Sequence, residues 1–411
     1  MLRQPVRSET RQVGGATRRS DLDLLRALVV VGLVFFHSAV IFGPGAFPVK
    51  AGAEYPLAAV FLAFGATWGM PLLFVISGIG SWYSLGSRGA AEFARERLRR
   101  LGVPLLVGLL TLVPLQVYLG RRRAGDTSSY ADFSAHFWDV RPSLEFPFVV
   151  RADPAGGLFE TGHLWFLVCL LGFSLVLLPG LVLLGRPPGR RLIERLAGLL
   201  ARPGGLLLPV LPLAAVEVLR GSETGHGGWN DASYALFLVY GFLAAADPRI
   251  GQAFRRRCRA AMTLGGLLLV AAGGSFVAAS PDGDPLIAMD LPAMRFRLLK
   301  SAAGWAWVVA ILGLAGSRGA RPGTPRPSAP VRRLGVSVND AVPAFYVLHE
   351  PVVVAVAGVV LGWRVAPAVQ YLVISGVSLA ATGLLCEFGV RRHPVARYLF
   401  GLKPIRGTID P

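Results

Sequence analysis

The sequence predicts an all-α fold, a polytopic integral membrane bundle of about ten transmembrane helices. The 411-residue chain is 53% hydrophobic and only 16% charged, with a mean hydropathy of +0.55, whereas a soluble domain of this length carries more charged surface. Apolar runs of roughly 20 residues recur, which is the length that a helix needs to cross the hydrocarbon core. Connections rich in arginine alternate with connections that contain acids.

Ten apolar runs are the candidates for the spanning helices. They cover residues 27–43, 57–83, 101–119, 163–184, 204–219, 233–246, 260–279, 301–316, 340–361 and 367–386. The fifth and sixth runs are short, and removing either one would invert the orientation of every later helix. No small-residue cleavage site follows the first run, so we interpret it as a retained helix rather than a signal peptide.

The charges of the connections orient these helices. Even-numbered connections are rich in arginine, as in SRGAAEFARERLRR and DPRIGQAFRRRCRA, and both tails are basic. Odd-numbered connections carry acids, as in RGSETGHGGWNDA. Because arginine excess marks the cytoplasmic face, both termini are predicted to be cytoplasmic. The predicted domains are a basic tail at 1–26, a transmembrane domain at 27–386 and a C-terminal tail at 387–411. This topology accounts for the net charge of +18, so we expect no nucleic-acid partner.

Two connections have features of their own. The Pro/Arg/Gly stretch 317–333 predicts a flexible cytoplasmic link. The long connection 120–162 is aromatic and is interpreted as an external lid, a half-inserted segment or an amphipathic stretch on the membrane surface. Arg121–Arg123 open this outer connection against the charge rule, which long connections obey weakly. The three cysteines, Cys169, Cys258 and Cys386, have no paired spacing, so we expect neither a disulfide nor a metal site.

Arg26 and His37 mark the first helix as more than an anchor. They are eleven residues apart, which returns them to nearly the same helix face about 16 Å apart. With the N-terminus inside, Arg26 lies at the cytoplasmic boundary and His37 near mid-membrane, where an ionisable group costs several kcal/mol unless it faces a polar cavity. We therefore predict a functional site at His37. The alternative is a neutral histidine that joins two helices by a hydrogen bond.

A second cationic group lies at the same predicted face. Arg97 and Arg100 are one turn apart at the cytoplasmic end of the third helix, level with Arg26. The arginine guanidinium group can form two parallel hydrogen bonds to phosphate oxygens, so the three side chains could bind a polyphosphate group together. The alternative is that they are ordinary arginines of the cytoplasmic face with no ligand. Phosphates at the inner surface and a reactive end about 16 Å deeper would fit acyl-coenzyme A, although spacing alone does not name the ligand.

The sequence resembles the membrane acyltransferase-3 family, over residues 20 to 405. The hallmark is Arg26, ten residues and then His37 in the first helix, and a second mark is FVISG followed by Arg97 and Arg100. Further matches, which together look most like the branch named for glucan biosynthesis protein C, are HLWFL (His163–Leu167), YGFL (Tyr240–Leu243), FYVLHEPVVV (Phe345–Val354) and the closing FGLKP.

The resemblance implies a function. Family members move an acyl group, often acetyl or succinyl, from a cytoplasmic coenzyme A thioester to a hydroxyl of a carbohydrate. By resemblance, His37 is the catalytic base and Arg26, Arg97 and Arg100 hold the donor. Acyl-coenzyme A is then a co-substrate and no permanently bound cofactor is expected. The expected partners are the acyl donor, a glycan acceptor and the lipid bilayer of the cell membrane.

Four further residues enter as candidates. His349 in the ninth helix is predicted to orient the substrate or handle a proton, and the alternative is a packing histidine. Glu350 lies about 100° around the same helix, so it need not serve the same cavity. His163 and Trp165 begin the fourth helix at the predicted outer face, where they would line an acceptor entrance together with Glu350, although a tryptophan there is commonly an anchor.

Two other classes of function compete with the enzyme. A transporter or flippase of a glycan precursor would use the buried histidines and Glu350 as a proton relay. Its signature would be two related halves with interrupted helices, and the sequence shows no such symmetry. A structural membrane subunit would leave His37 and the arginine pair unexplained. The acyltransferase is therefore the preferred interpretation.

Overall fold

The chain folds almost entirely into helices. A computed structural model describes residues 9–222, 226–279, 283–318 and 329–403, and the side chains of residues 21–222, 226–279, 283–317 and 340–403. The predicted link at 317–333 and the two predicted tails lie partly outside these residues, so their structure stays a prediction.

Fourteen helices, separated by turns and one small hairpin, follow one another along the described chain. They are α1 (Glu9–Val40), α2 (Pro56–Arg88), α3 (Ala90–Arg123), α4 (Tyr130–Phe137), α5 (Trp165–Val176), α6 (Leu178–Gly185), α7 (Pro187–Ala201), α8 (Val210–Arg220), α9 (Asp231–Ala246), α10 (Pro248–Ala278), α11 (Leu291–Arg318), α12 (Ala329–Val360), α13 (Pro367–Leu384) and α14 (Pro394–Leu399). The strands β1 (Val140–Pro142) and β2 (Val150–Ala152) pair antiparallel.

Each of the ten predicted apolar runs overlaps one helix or a bent pair of helices. Within the described residues, seven helices are long and apolar enough to cross a membrane, and the count rises to nine if two bent pairs are each one span. The bends are 52° between α5 and α6 and 114° between α7 and the segment that ends with α8. The predicted sixth run is the shorter apolar helix α9. The chain is therefore a multi-pass helical membrane protein, while the count of ten crossings and the cytoplasmic termini stay predictions.

The described residues divide into two compact units, each treated by itself below. The first contains the described residues of Met1–Val29, Thr67–Tyr83 and Leu184–Asn339. The second contains those of Val30–Ala66, Ser84–Leu183 and Asp340–Pro411. Helices α1 and α2 each contribute residues to both units.

The first unit packs helices closely through glycine. A side-chain carbon at Gly78 of α2 would overlap the backbone of Leu238 in α9, and one at Gly241 of α9 would overlap the backbone of Val75. Small residues at such contacts let helix backbones approach, which is how helices associate where lipid provides no hydrophobic driving force. Gly78 belongs to the FVISG phrase of the sequence, so the structure assigns a packing role to its last residue.

The first unit contains a buried ion pair. Glu217 of α8 is fully buried, and its Oε2 lies 2.9 Å from Lys300 Nζ of α11. The other carboxylate oxygen accepts from the backbone N–H of Asn230 at 2.8 Å and from Ser233 Oγ at 2.6 Å. Ser222 Oγ donates to Oε2 at 2.5 Å. Every lone pair of this buried carboxylate therefore has a donor, as a buried charge requires.

The C-terminal part of α1 belongs to the second unit. The Lys50 ammonium donates to the Val40 carbonyl at 2.7 Å and to the carbonyl of Gly43, so it satisfies acceptors that the end of a helix leaves free. This contact holds the last turn of α1, which contains His37.

Helix α3 is longer than its apolar run. It extends from Ala90 to Arg123 and contains two π-helical turns, Leu98–Gly102 and Gly108–Leu112. A π-helical turn inserts a residue into the regular hydrogen-bond ladder and is frequent at functional sites. Neither turn is recognisable from the apolar pattern. The pattern shows which residues are apolar but not how the backbone hydrogen bonds of the helix are paired.

The aromatic connection after α3 contains regular structure. Its first turn is closed by the Ser128 backbone amide, which donates to Asp126 at 2.8 Å. Helix α4 then packs its aromatic side chains against one another and against Tyr118 of α3. The hairpin turn that follows lies against α5, where the rings of Phe146 and Phe173 are 5.9 Å apart. Whether this segment is a lid, a half-inserted segment or a surface stretch stays a prediction.

Candidate active site

Three segments of the second unit bring four ionisable side chains together. His37 comes from the last turn of α1, and His163 from the short 3₁₀ turn Gly162–Leu164 that precedes α5. His349 and Glu350 are consecutive in α12, directly before Pro351. All four were singled out from the sequence, and the structure places them in one cluster.

Glu350 is the centre of the cluster. Its side chain is almost fully buried, and its Oε2 lies 3.2 Å from His37 Nδ1. Its Oε1 accepts a hydrogen bond from Gln116 Nε2 at 3.0 Å and lies 3.6 Å from His163 Nδ1. A buried carboxylate is costly unless it is paired and hydrogen-bonded. Gln116 supplies a hydrogen bond to this carboxylate, and the rings of His37 and His163 lie beside it.

The carboxylate favours one tautomer of His37. A neutral imidazole carries its hydrogen on one ring nitrogen and a lone pair on the other. A lone pair on Nδ1 would repel the carboxylate of Glu350, so the hydrogen belongs on Nδ1 and the lone pair on Nε2. This is the form in which a histidine acts as a base. About 18% of the His37 side chain is exposed, so the ring is not completely enclosed by protein.

The backbone fixes the other two histidines. His349 Nδ1 donates to the Tyr346 carbonyl at 2.5 Å, and His163 Nε2 donates to the Val347 carbonyl at 3.0 Å. The Tyr346 hydroxyl donates in return to the carbonyl of His163. The start of α5 is thus joined to α12 by two hydrogen bonds in opposite directions. The His349 ring lies between the others, with its centroid 5.1 Å from that of His37 and 5.3 Å from that of His163.

The predicted donor-binding arginines of α3 lie in the second unit beside an acid. Arg100 Nε is 3.4 Å from Glu96 Oε1, and Arg88 pairs with the other oxygen of the same carboxylate. Arg97 lies over the ring of Phe93, with its guanidinium carbon 4.9 Å from the ring centroid. Two or more cationic groups around one carboxylate leave a net positive site.

Two candidates remain, Arg26 and Trp165. Arg26 belongs to the first unit, where its Nη1 is 3.9 Å from Asp23 Oδ1. Trp165 is half-buried at the first residue of α5, with its ring centroid 6.4 Å from that of Phe166.

No group of three or more His, Cys, Asp or Glu side chains in the described residues is placed to hold a metal ion. The three cysteines are free and buried.

The sequence interpretation missed three residues that touch the candidate groups. Gln116 donates a hydrogen bond to Glu350, and Tyr346 donates one to the backbone carbonyl of His163. Glu96 forms an ion pair with Arg100. Gln116 had a usable signal, since a lone amide inside the apolar run VPLQVY must find a partner in the bilayer. Tyr346 and Glu96 had none, because a tyrosine in an apolar helix and a glutamate in a basic stretch are unremarkable in a sequence.

A comparison with known families identifies the family of the chain. A family model described as an acyltransferase domain matches residues 19–387, nearly the whole chain. No curated protein matches the chain, and no solved structure does. The chain therefore belongs to the acyltransferase 3 family and is a membrane acyltransferase.

Proposed function

We propose that this protein is a membrane O-acyltransferase that moves an acetyl- or succinyl-type group from cytoplasmic acyl-coenzyme A to a hydroxyl of a cell-envelope carbohydrate or glucan. The observation that carries the proposal is the pairing of His37 with Glu350, whose facing atoms are 3.2 Å apart. A base for acyl transfer needs an accessible lone pair on a ring that a second group orients. The partial exposure of His37 and the position of Glu350 beside its Nδ1 support this assignment.

In the proposed reaction His37 handles one proton. Its Nε2 removes the hydrogen of the acceptor hydroxyl while the oxygen attacks the thioester carbonyl carbon. The new C–O bond forms, the C–S bond breaks, and the imidazolium returns the proton to the departing thiolate of coenzyme A. Glu350 stabilises the imidazolium between these steps without itself taking the proton.

The arginines are assigned to the donor. Coenzyme A carries a 3′-phosphate and a diphosphate, and guanidinium groups bind phosphate oxygens through paired hydrogen bonds. Arg97 and Arg100 of α3 supply such groups, and Arg26 is assigned the same role from its place in the family hallmark. A phosphate would compete with Glu96 for Arg100, so donor binding is expected to loosen the Glu96 ion pairs.

The test uses membranes or proteoliposomes that contain the full chain, a radiolabelled acyl-coenzyme A and cell-envelope glycan. We expect the wild type to label the glycan and His37→Ala to reduce the labelling at least about 10³-fold. His136→Ala is the matched control, since His136 lies exposed on α4. Equal labelling by the wild type and His37→Ala would remove His37 from the mechanism. Movement of glycan across the bilayer without acyl-coenzyme A would favour the transporter.

A further inference from the structure

Besides Nδ1 of His37 and Nδ1 of His163, which face Glu350, two buried polar atoms on residues of the cluster have no hydrogen-bond partner among the described residues. They are Nε2 of His349 and Oε1 of Gln116, and both atoms are inaccessible to bulk solvent. His349 is 0% exposed and Gln116 1% exposed. Buried polar atoms are almost always hydrogen-bonded, because an unpaired one costs free energy. A ligand that brings its own donors would satisfy both atoms.

The identity of the free atom on His349 follows from its other nitrogen. A backbone carbonyl can only accept, so Nδ1, which is 2.5 Å from the Tyr346 carbonyl, carries the ring hydrogen. The neutral ring then presents a bare lone pair at Nε2. The centroid of this ring is 5.1 Å from that of His37, so the free acceptor belongs to the same cluster as the proposed base.

The free atom on Gln116 follows from Glu350. The amide group donates to the carboxylate at 3.0 Å through Nε2. In the reverse orientation the amide oxygen would face a carboxylate oxygen, and both atoms would be acceptors. The oxygen of Gln116 is therefore the end that remains without a donor.

The chemistry of the missing partner is that of hydroxyl groups. Two acceptors need two donors, and these are additional to the hydroxyl that His37 deprotonates. A sugar ring supplies several O–H groups at neighbouring carbons, whereas an alcohol with a single hydroxyl supplies none beyond the reacting one. A carboxylate or phosphate would present acceptors to acceptors and is disfavoured.

We infer that His349 and Gln116 form a subsite that recognises a polyhydroxylated acceptor through hydroxyl groups other than the one that is acylated. The inference rests on the proposed function and adds the residues that select the acceptor. Hydrogen-bond recognition of this kind discriminates strongly, because an analogue without the hydroxyl leaves the buried acceptors unpaired.

The test measures acceptor preference in proteoliposomes of the full chain. Methyl glucoside and cyclohexylmethanol both offer a primary hydroxyl on a six-membered ring, but only the first has further hydroxyls. We expect the wild type to use methyl glucoside with a kcat/KM at least tenfold higher. His349→Phe keeps the ring and removes both nitrogens, and it is expected to lower this preference about tenfold. Most of the loss is expected as a higher KM for the glucoside rather than for acyl-coenzyme A.

Three comparisons make the outcome decisive. His349→Gln restores an acceptor oxygen and should recover part of the preference. Gln116→Lys keeps an N–H donor for Glu350 but lacks the amide oxygen, and should lower the preference as His349→Phe does. His136→Phe is the matched control on the exposed helix α4. An unchanged preference in His349→Phe and Gln116→Lys, or a wild type without preference, would overturn the subsite. A wild type that never consumes acyl-coenzyme A would instead defeat the proposed function.

Discussion

Replacing Glu350 by glutamine tests the reaction centre with a change of a single atom. The introduced amide has one oxygen and one NH₂ group, and Gln116 Nε2, 3.0 Å from Oε1, requires an acceptor there. The NH₂ group is then left facing His37 Nδ1, which lies 3.2 Å from Oε2. His37 would accept at Nδ1 and carry its hydrogen on Nε2, which is the wrong tautomer for a base. We expect kcat to fall about 10³- to 10⁴-fold, or about 4–5.5 kcal/mol of activation free energy.

The assay is the initial rate of label transfer from radiolabelled acyl-coenzyme A at saturating donor in proteoliposomes. Glu387→Gln is the matched control. Glu387 lies in the π-helical turn Leu385–Val390, which follows α13, and forms a partly exposed ion pair with Arg391. Thermal unfolding in detergent shows whether Glu350→Gln remains folded. A folded Glu350→Gln protein whose kcat stays within about tenfold of the wild type would refute the reasoning about the tautomer.

Three further predictions concern the fold. Glu217→Gln or Lys300→Met alone should lower the free energy of unfolding by roughly 3–5 kcal/mol, because each leaves an unpaired buried charge. The double variant should recover much of this loss in thermal unfolding. Additive losses in the double variant would contradict the prediction. The Asp126 carboxylate accepts hydrogen bonds from Ser128 and Arg121, which lower its pKa to about 2. Since the folded form has the lower pKa, the turn should persist at pH 4 in an NMR titration and open as the pH falls through about 2. A turn that opens near the ordinary pKa of 3.8 would contradict the assignment. Reporters fused after Gly225 and after Pro325 should lie on opposite sides of the membrane, and the same side for both would break the ten-helix topology.

The apolar runs located the helices but not their ends. The first run was placed at residue 27 and the third at 101, whereas α1 begins at Glu9 and α3 at Ala90. A helix continues for as long as its backbone hydrogen bonds are satisfied, which polar residues outside the bilayer permit. Hydropathy records only the part that lipid would touch. The bends after α5 and α7 were also invisible, since they depend on how each segment packs.

The membrane character of the chain and the residues worth testing were determined by the sequence alone. Both follow from local properties, since a run of apolar residues must be in lipid and a histidine inside such a run must find a polar partner. Which partner it finds was decided only by the tertiary structure. Gln116 and Glu350 are 234 positions apart, and no spacing rule for a single helix relates them to each other or to His37. From the angle of about 100° between them on one helix, His349 and Glu350 were not expected to need the same cavity. In the structure both side chains belong to one cluster built from three segments, because packed helices surround a buried group from several directions.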